Sequence, residues 1–188
     1  MRSCLAPTGP RKILCPVSAF SRVAGADNHM GAAIMVVYTI GYEGLALAQF
    51  LELLALNDIE HLVDIREAPI SRKAGFAKPE LGAALAAAGI RYTHLQPLGC
   101  PKPIRDRYRA SGDWSRYTRD YLIYLDAQGG SLAALRDAVG AARTCLMCFE
   151  ADANRCHRGL VAAAVRGEGD VHHIPVRPPS PQGELAFE

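Results

Sequence analysis

The sequence predicts an α/β domain built on one mainly parallel sheet of about five strands. Short β-branched or apolar runs alternate with segments whose apolar residues recur at helical spacing. The run Thr144–Phe149 is almost wholly apolar, as a strand buried on both faces requires. A length of 188 residues with 49% hydrophobic content supports one such domain and its core, but not two. That content excludes a largely disordered chain. No stretch approaches the roughly 18 apolar residues that span a bilayer, which argues for a cytoplasmic protein without a membrane partner.

The elements follow in chain order. Val36–Ile40 is a first strand stopped by Gly41, and Leu47, Phe50, Leu51 and Leu54 mark the helix after it. His61–Ile65 is a second strand, followed by a polar loop from Arg66 to Ala77. Lys78-Pro79-Glu80 opens a helix whose buried stripe is Leu81, Ala84, Leu85 and Ala88, with Gly89 as its cap. Ile90–Leu95 is a third strand, and 96–112 reads as a long loop. Asp113 caps a helix carrying Trp114, Tyr117, Tyr121 and Tyr124, and a further helix runs from Ser131 to about Ala142. After the Thr144–Phe149 strand come a helix over Cys156–Arg166 and a last strand at Val171–Ile174. Right-handed crossovers through these helices suggest the strand order 3-2-1-4-5 or a close variant.

The domain is expected over 35–176, with a Pro-rich tail at 177–188 and a loose or misassigned extension at 1–34. The extension has three prolines and no apolar periodicity, and translation from Met30 or Met35 would remove most of it. Ile13-Leu14 is broken at once by Cys15-Pro16, too short for a secretory signal. The net charge of +2 conceals a basic extension and a slightly acidic body, so any basic site on the domain must be local. Lys102, Arg105, Arg107, Arg109, Arg116 and Arg119 face only Asp106 and Asp113 between residues 100 and 119. Tyr108, Trp114 and Tyr117 are interleaved with them, as phosphate contact and base stacking would need. At helical spacing, Trp114 and Tyr117 are also ordinary core residues. The six cysteines are expected to be free thiols, and Cys145 and Cys148, three apart on a strand, point to opposite faces.

In parallel sheets ligands bind at the carboxyl ends of the strands. The richest such end is Cys148-Phe149-Glu150-Ala151-Asp152-Ala153-Asn154-Arg155-Cys156-His157-Arg158, running from a buried strand into a helix N-terminus. There the helix dipole would favour negative charge and lower a thiol pKa. The alternative is that Cys148 is an inert core thiol and that Glu150 and Arg158 simply pair.

Several segments together resemble one known family. They are Thr39-Ile40-Gly41, Val63-Asp64-Ile65-Arg66, Pro69-Ile70-Ser71-Arg72 with Phe76, Gly89-Ile90-Arg91-Tyr92-Thr93-His94-Leu95, Leu98-Gly99, and the Cys-x-Glu…Cys-His-Arg signature at 148–158. Over about 36–176 they look like the family known as domain of unknown function 488. The resemblance implies a Rossmann-like, three-layer α/β domain and a site, but no settled reaction. Tyr42 and Glu43 stand where that family commonly has a His-Ser pair, which puts any role of that histidine in doubt here.

Three chemistries suit the site. In one, Cys148 or Cys156 is a nucleophile, His157 its base, and Arg158 with the helix amides binds an anion. The strand-ending cysteine superficially resembles rhodanese and cysteine-dependent phosphatase domains. Those need Cys-x5-Arg, and Arg155 comes one residue too late. In the second, Glu150 transfers a proton, with a pKa raised by burial, while Arg66, Arg72 and Arg158 hold a phosphate-bearing substrate. Gly41, Tyr42, Ser71 and His94, from neighbouring strand ends, complete the expected binding set. In the third, Cys148, Cys156 and His157 bind zinc, with or without Glu150, although an adjacent Cys-His is an awkward pair for one tetrahedral ion. The favoured expectation is an enzyme acting on a nucleotide or nucleic acid. The alternatives are a non-catalytic binding module and a zinc-binding protein.

Overall fold

The computed structural model describes residues 35–176. The expected extension and tail, with Cys4 and Cys15, lie outside the described residues. Strands β1 (Val36–Gly41), β2 (His61–Asp64), β3 (Arg91–His94), β4 (Thr144–Cys148) and β5 (Asp170–His173) form one sheet. All its pairings are parallel. The α/β, Rossmann-like class read from the sequence is therefore correct.

The strand order is β3-β2-β4-β1-β5, a variant of the expected 3-2-1-4-5 in which β1 and β4 exchange places. Every residue of β4 is buried, whereas β3 and β5 are largely accessible. A strand with no polar face belongs at the centre, so β4 inserts between β1 and β2. Cys145 and Met147 pack to one side and Leu146 to the other. Cys148 does not meet Cys145, as the period of two requires.

Helices α1 (Leu47–Leu56) and α2 (Lys78–Ala87) cover one face, where Phe50, Leu54, Leu81 and Leu85 meet Ile40, Leu62 and Met147. Helices α3 (Lys102–Ser111), α4 (Trp114–Asp126), α5 (Gly129–Ala141) and α6 (His157–Val165) cover the other, where Tyr121, Leu135 and Val161 meet Val63, Ile65 and Leu146. The chain leaves β1 for α1 on one face and β4 for α6 on the other. The crevice between those exits is where such sheets take ligands.

The segment 96–112, expected to be a loop, holds a short 3-10 turn at Gln96–Leu98 and then α3. Pro101 and Pro103 read as breakers, yet proline fits the first turn of a helix, whose leading N–H groups have no partner. Ile104 is the one buried residue of α3, so the sequence shows no apolar stripe. Gly112, at φ 68°, ends the helix in the left-handed conformation. Tyr117 and Tyr121 are buried in the core, and Trp114 packs against it. Among the described residues no helix is long and apolar enough to cross a membrane.

Candidate active site

A cleft of about 540 Å³ opens at the carboxyl ends of β1, β2 and β4. The loop after β4 forms its floor and is tied down on both sides. The amides of Tyr42 and Glu43 donate to the carbonyls of Cys148 and Phe149 at 3.2 and 2.9 Å. The amide of Ala151 donates to the Glu43 carboxylate at 2.9 Å. Gly41 lies so close to this loop that a Cβ there would overlap the Glu150 carbonyl. Gly41 is thus a packing position beneath the cleft, not part of its lining.

At the floor, four side chains converge. The thiols of Cys148 and Cys156 both donate to Glu150 Oε2, at 2.9 and 3.1 Å. His157 Nδ1 lies 3.5 Å from the Cys148 sulfur and 3.9 Å from that of Cys156. His157 Nε2 donates to the Ile65 carbonyl at 3.0 Å. Cys156 is the N-cap of α6 and extended (φ −130°, ψ 141°), so it and the adjacent His157 reach the same point. The donor atoms of Cys148, Glu150, Cys156 and His157 lie within 4.8 Å of one another, an arrangement that can hold a metal ion. It is the one such group among the described residues.

The electrostatics differ from those expected of a helix N-terminus. Burial pushes the Cys148 thiol up, and it pushes Cys156 well above its ordinary value. Desolvation outweighs the dipole, and both thiols act as donors. Burial also pushes Glu150 up, but hydrogen bonds from Cys148, its own amide and Cys156 pull harder, so its pKa is lowered. The expected rise at Glu150 is thereby corrected. Burial opposes charge on His157, yet Cys156, Ile65 and Glu150 raise its pKa overall.

Several expected anion contacts are occupied elsewhere. Arg158 is 1% exposed, and its guanidinium donates to the carbonyls of Glu150 and Ala151, the latter at 2.7 Å. Arg66 borders the cleft, but its fork grips Asp64 at 2.6–3.1 Å and also donates to the Tyr42 hydroxyl and the Phe76 carbonyl. Asp64 takes a further bond from the Tyr92 hydroxyl at 2.8 Å. His94 Nε2 donates to the Arg66 carbonyl at 2.8 Å and steadies the β2 loop from outside the cleft.

Tyr42, Ser71 and Arg72 do line the cleft. So do Lys73 and Arg155, which the sequence did not single out, and Arg105 and Arg109 of the basic run. Arg155 lies over the Trp114 ring at 5.9 Å, and Lys73 Nζ donates to the Tyr42 carbonyl at 3.2 Å. Arg105 is paired with Glu67 at 2.7 Å. The signals were present, in the basic run of α3 and in the arginine before Cys156. Their convergence depends on α3 folding over the β4 end. Ile70 and Phe149, both exposed, also border the cleft.

The family model described as Domain of unknown function DUF488 matches residues 46–165. No curated protein and no solved structure matches the chain. The family match spans more than half of the chain and includes every part of the cleft except the turn at Tyr42. As its motifs suggested, the chain belongs to this family of domains of unknown function.

Proposed function

We propose that the protein is an enzyme acting on a phosphate-bearing substrate, a nucleotide or nucleic acid, with Glu150 as the proton-transfer group. One observation carries this reading. Arg72, Lys73, Arg109 and Arg155, from three separate segments, border the same cleft as Glu150. A concave site with convergent cations and aromatic walls suits an anion joined to a flat ring, and Tyr108 and Phe149 supply such walls. In this reading Glu150, which accepts hydrogen bonds from two thiols and borders the cleft, takes the proton from a group bound there.

The test is to incubate the protein with nucleoside mono-, di- and triphosphates and with single-stranded RNA and DNA, following both binding and product. Salt-dependent binding and turnover are expected, with turnover abolished in Glu150→Gln and binding weakened about tenfold in Arg155→Ala. Binding without product in the wild type would make the protein a non-catalytic module. Full turnover in Glu150→Gln would remove the role assigned to that carboxylate.

A second reading, zinc as cofactor, is favoured by the donor set at the floor. Two sulfurs, an imidazole nitrogen and a carboxylate oxygen are the ligands that zinc takes. The extended backbone at Cys156, which lets an adjacent Cys-His pair reach one point, supports the reading.

A further inference from the structure

The four donors at the floor of the cleft are not equivalent. Cys148, Cys156 and His157 are 3%, 2% and 6% exposed, whereas Glu150 is only partly buried; Cys148 and His157 border the cleft along with Glu150, and Cys156 does not. Zinc bond lengths of about 2.3 Å to sulfur and about 2.0 Å to nitrogen or oxygen give tetrahedral edges of roughly 3.5 Å. The Cys148 sulfur–Nδ1 distance of 3.5 Å matches that edge, and the Cys156 sulfur–Nδ1 distance of 3.9 Å is somewhat longer. The sulfur–carboxylate distances of 2.9 and 3.1 Å are too short for it, and are those of thiol-to-carboxylate hydrogen bonds.

The imidazole also keeps one nitrogen free for a metal. Its Nε2–H is spent on the Ile65 carbonyl at 3.0 Å, which leaves Nδ1 as the free donor; the Cys148 sulfur lies 3.5 Å from Nδ1 and 3.9 Å from Nε2, beside the ring, so the imidazole turns toward an ion bound there. A backbone carbonyl in that role fixes the tautomer of a ligating histidine.

We infer that Cys148, Cys156 and His157 form a three-donor zinc site, and that the fourth position, beside Glu150, is open to exchange from the cleft. This rests on the zinc reading and deepens it: the ion would be of the catalytic kind, whose fourth ligand is a water or an anionic oxygen. Binding releases the two thiol protons, and the thiolates, with neutral His157, become ligands. Glu150, losing its two thiol donors, either occupies the fourth position or accepts a hydrogen bond from the water there. In that second state it stands beside the ion as a base facing the substrate cleft.

The experiment is metal analysis of the full chain after zinc loading, with the cobalt(II)-substituted protein as spectroscopic probe. One equivalent of zinc is expected in the wild type, with at least about a 100-fold loss of affinity in Cys148→Ser, Cys156→Ser and His157→Asn. Glu150→Gln is expected to keep one equivalent, weakened by no more than about tenfold. Added azide is expected to shift the cobalt spectrum of the wild type, a readout that needs no variant. Equal loss of metal in Glu150→Gln and the cysteine variants, or a cobalt spectrum indifferent to azide, would overturn the open position and leave a closed four-ligand zinc site. Absence of stoichiometric zinc in the wild type would end both the zinc reading and this one.

Discussion

The guanidinium of Arg158 holds Glu150 by its backbone carbonyl and leaves the carboxylate free for the two thiols. The same carbonyl lies against Gly41, so the loop after β4 is fixed between a buried cation and a backbone without a Cβ. Arg158→Met should leave the carbonyls of Glu150 and Ala151 without their donor. The expected cost is about 2–4 kcal/mol, from desolvated acceptors. Arg158→Lys should recover only part of it, since an ammonium lacks the planar fork that bridges two acceptors. Denaturant midpoints at unchanged slope would measure both effects. A midpoint in Arg158→Met equal to that of the wild type would show that the loop does not depend on this cation.

Gly41→Ala should damage the same loop from the other side. The added methyl would overlap the Glu150 carbonyl, and backbone atoms cannot yield as a side-chain tip does. A loss of more than about 2 kcal/mol is expected, within the range for overpacked sites. Gly82→Ala provides the contrast. It lies within α2, where a Cβ would meet only the Tyr92 ring at an ordinary 3.7 Å. Helix propensity alone predicts a gain of about 0.5–1 kcal/mol there. Thermal unfolding of the two variants should move in opposite directions.

Asp64 is fully buried and balances Arg66, which is 6% exposed. Asp64→Asn would keep the shape and remove the charge, leaving a buried guanidinium unpaired. Breaking such a pair costs about 3–5 kcal/mol. Tyr92→Phe removes only one hydrogen bond to the same carboxylate and should cost about 1.5 kcal/mol. Because both act on one group, a double-mutant cycle should show coupling, and strict additivity would contradict a shared network.

The fold was legible where periodicity was strong. β4 showed its burial on both faces as an apolar run, but its place between β1 and β2 did not follow from chain order. α3 was hidden because charged residues and two prolines surround one buried isoleucine. The site was legible as a motif, since the cysteines, Glu150 and His157 lie within ten residues of one another. What Arg158 holds was not, because a guanidinium serves a carbonyl as readily as a phosphate. The thiol pKa values turned on burial depth, which a helix N-terminus in the sequence does not reveal.

Acid should weaken the fold through a histidine remote from the cleft. His61, at the start of β2, is buried, and its Nε2 bonds to the Thr93 hydroxyl at 2.9 Å. Its Nδ1 has no partner among the described residues. Burial first, then the charge of Arg91, lowers its pKa below the ordinary 6.5. The folded state therefore prefers the neutral ring, and the unfolded chain binds the proton first. Stability from this group is complete above about pH 6.5 and is lost as the pH falls through the lowered folded-state value. His173, lowered by burial and then by Arg158 and His172, has the same sign. Unfolding free energies should accordingly decline as the pH falls below about 6.5, before most carboxylates titrate. His61→Gln, which cannot take up that proton, should show a shallower decline over the same interval. Parallel pH profiles for the wild type and His61→Gln would assign the acid sensitivity to other groups.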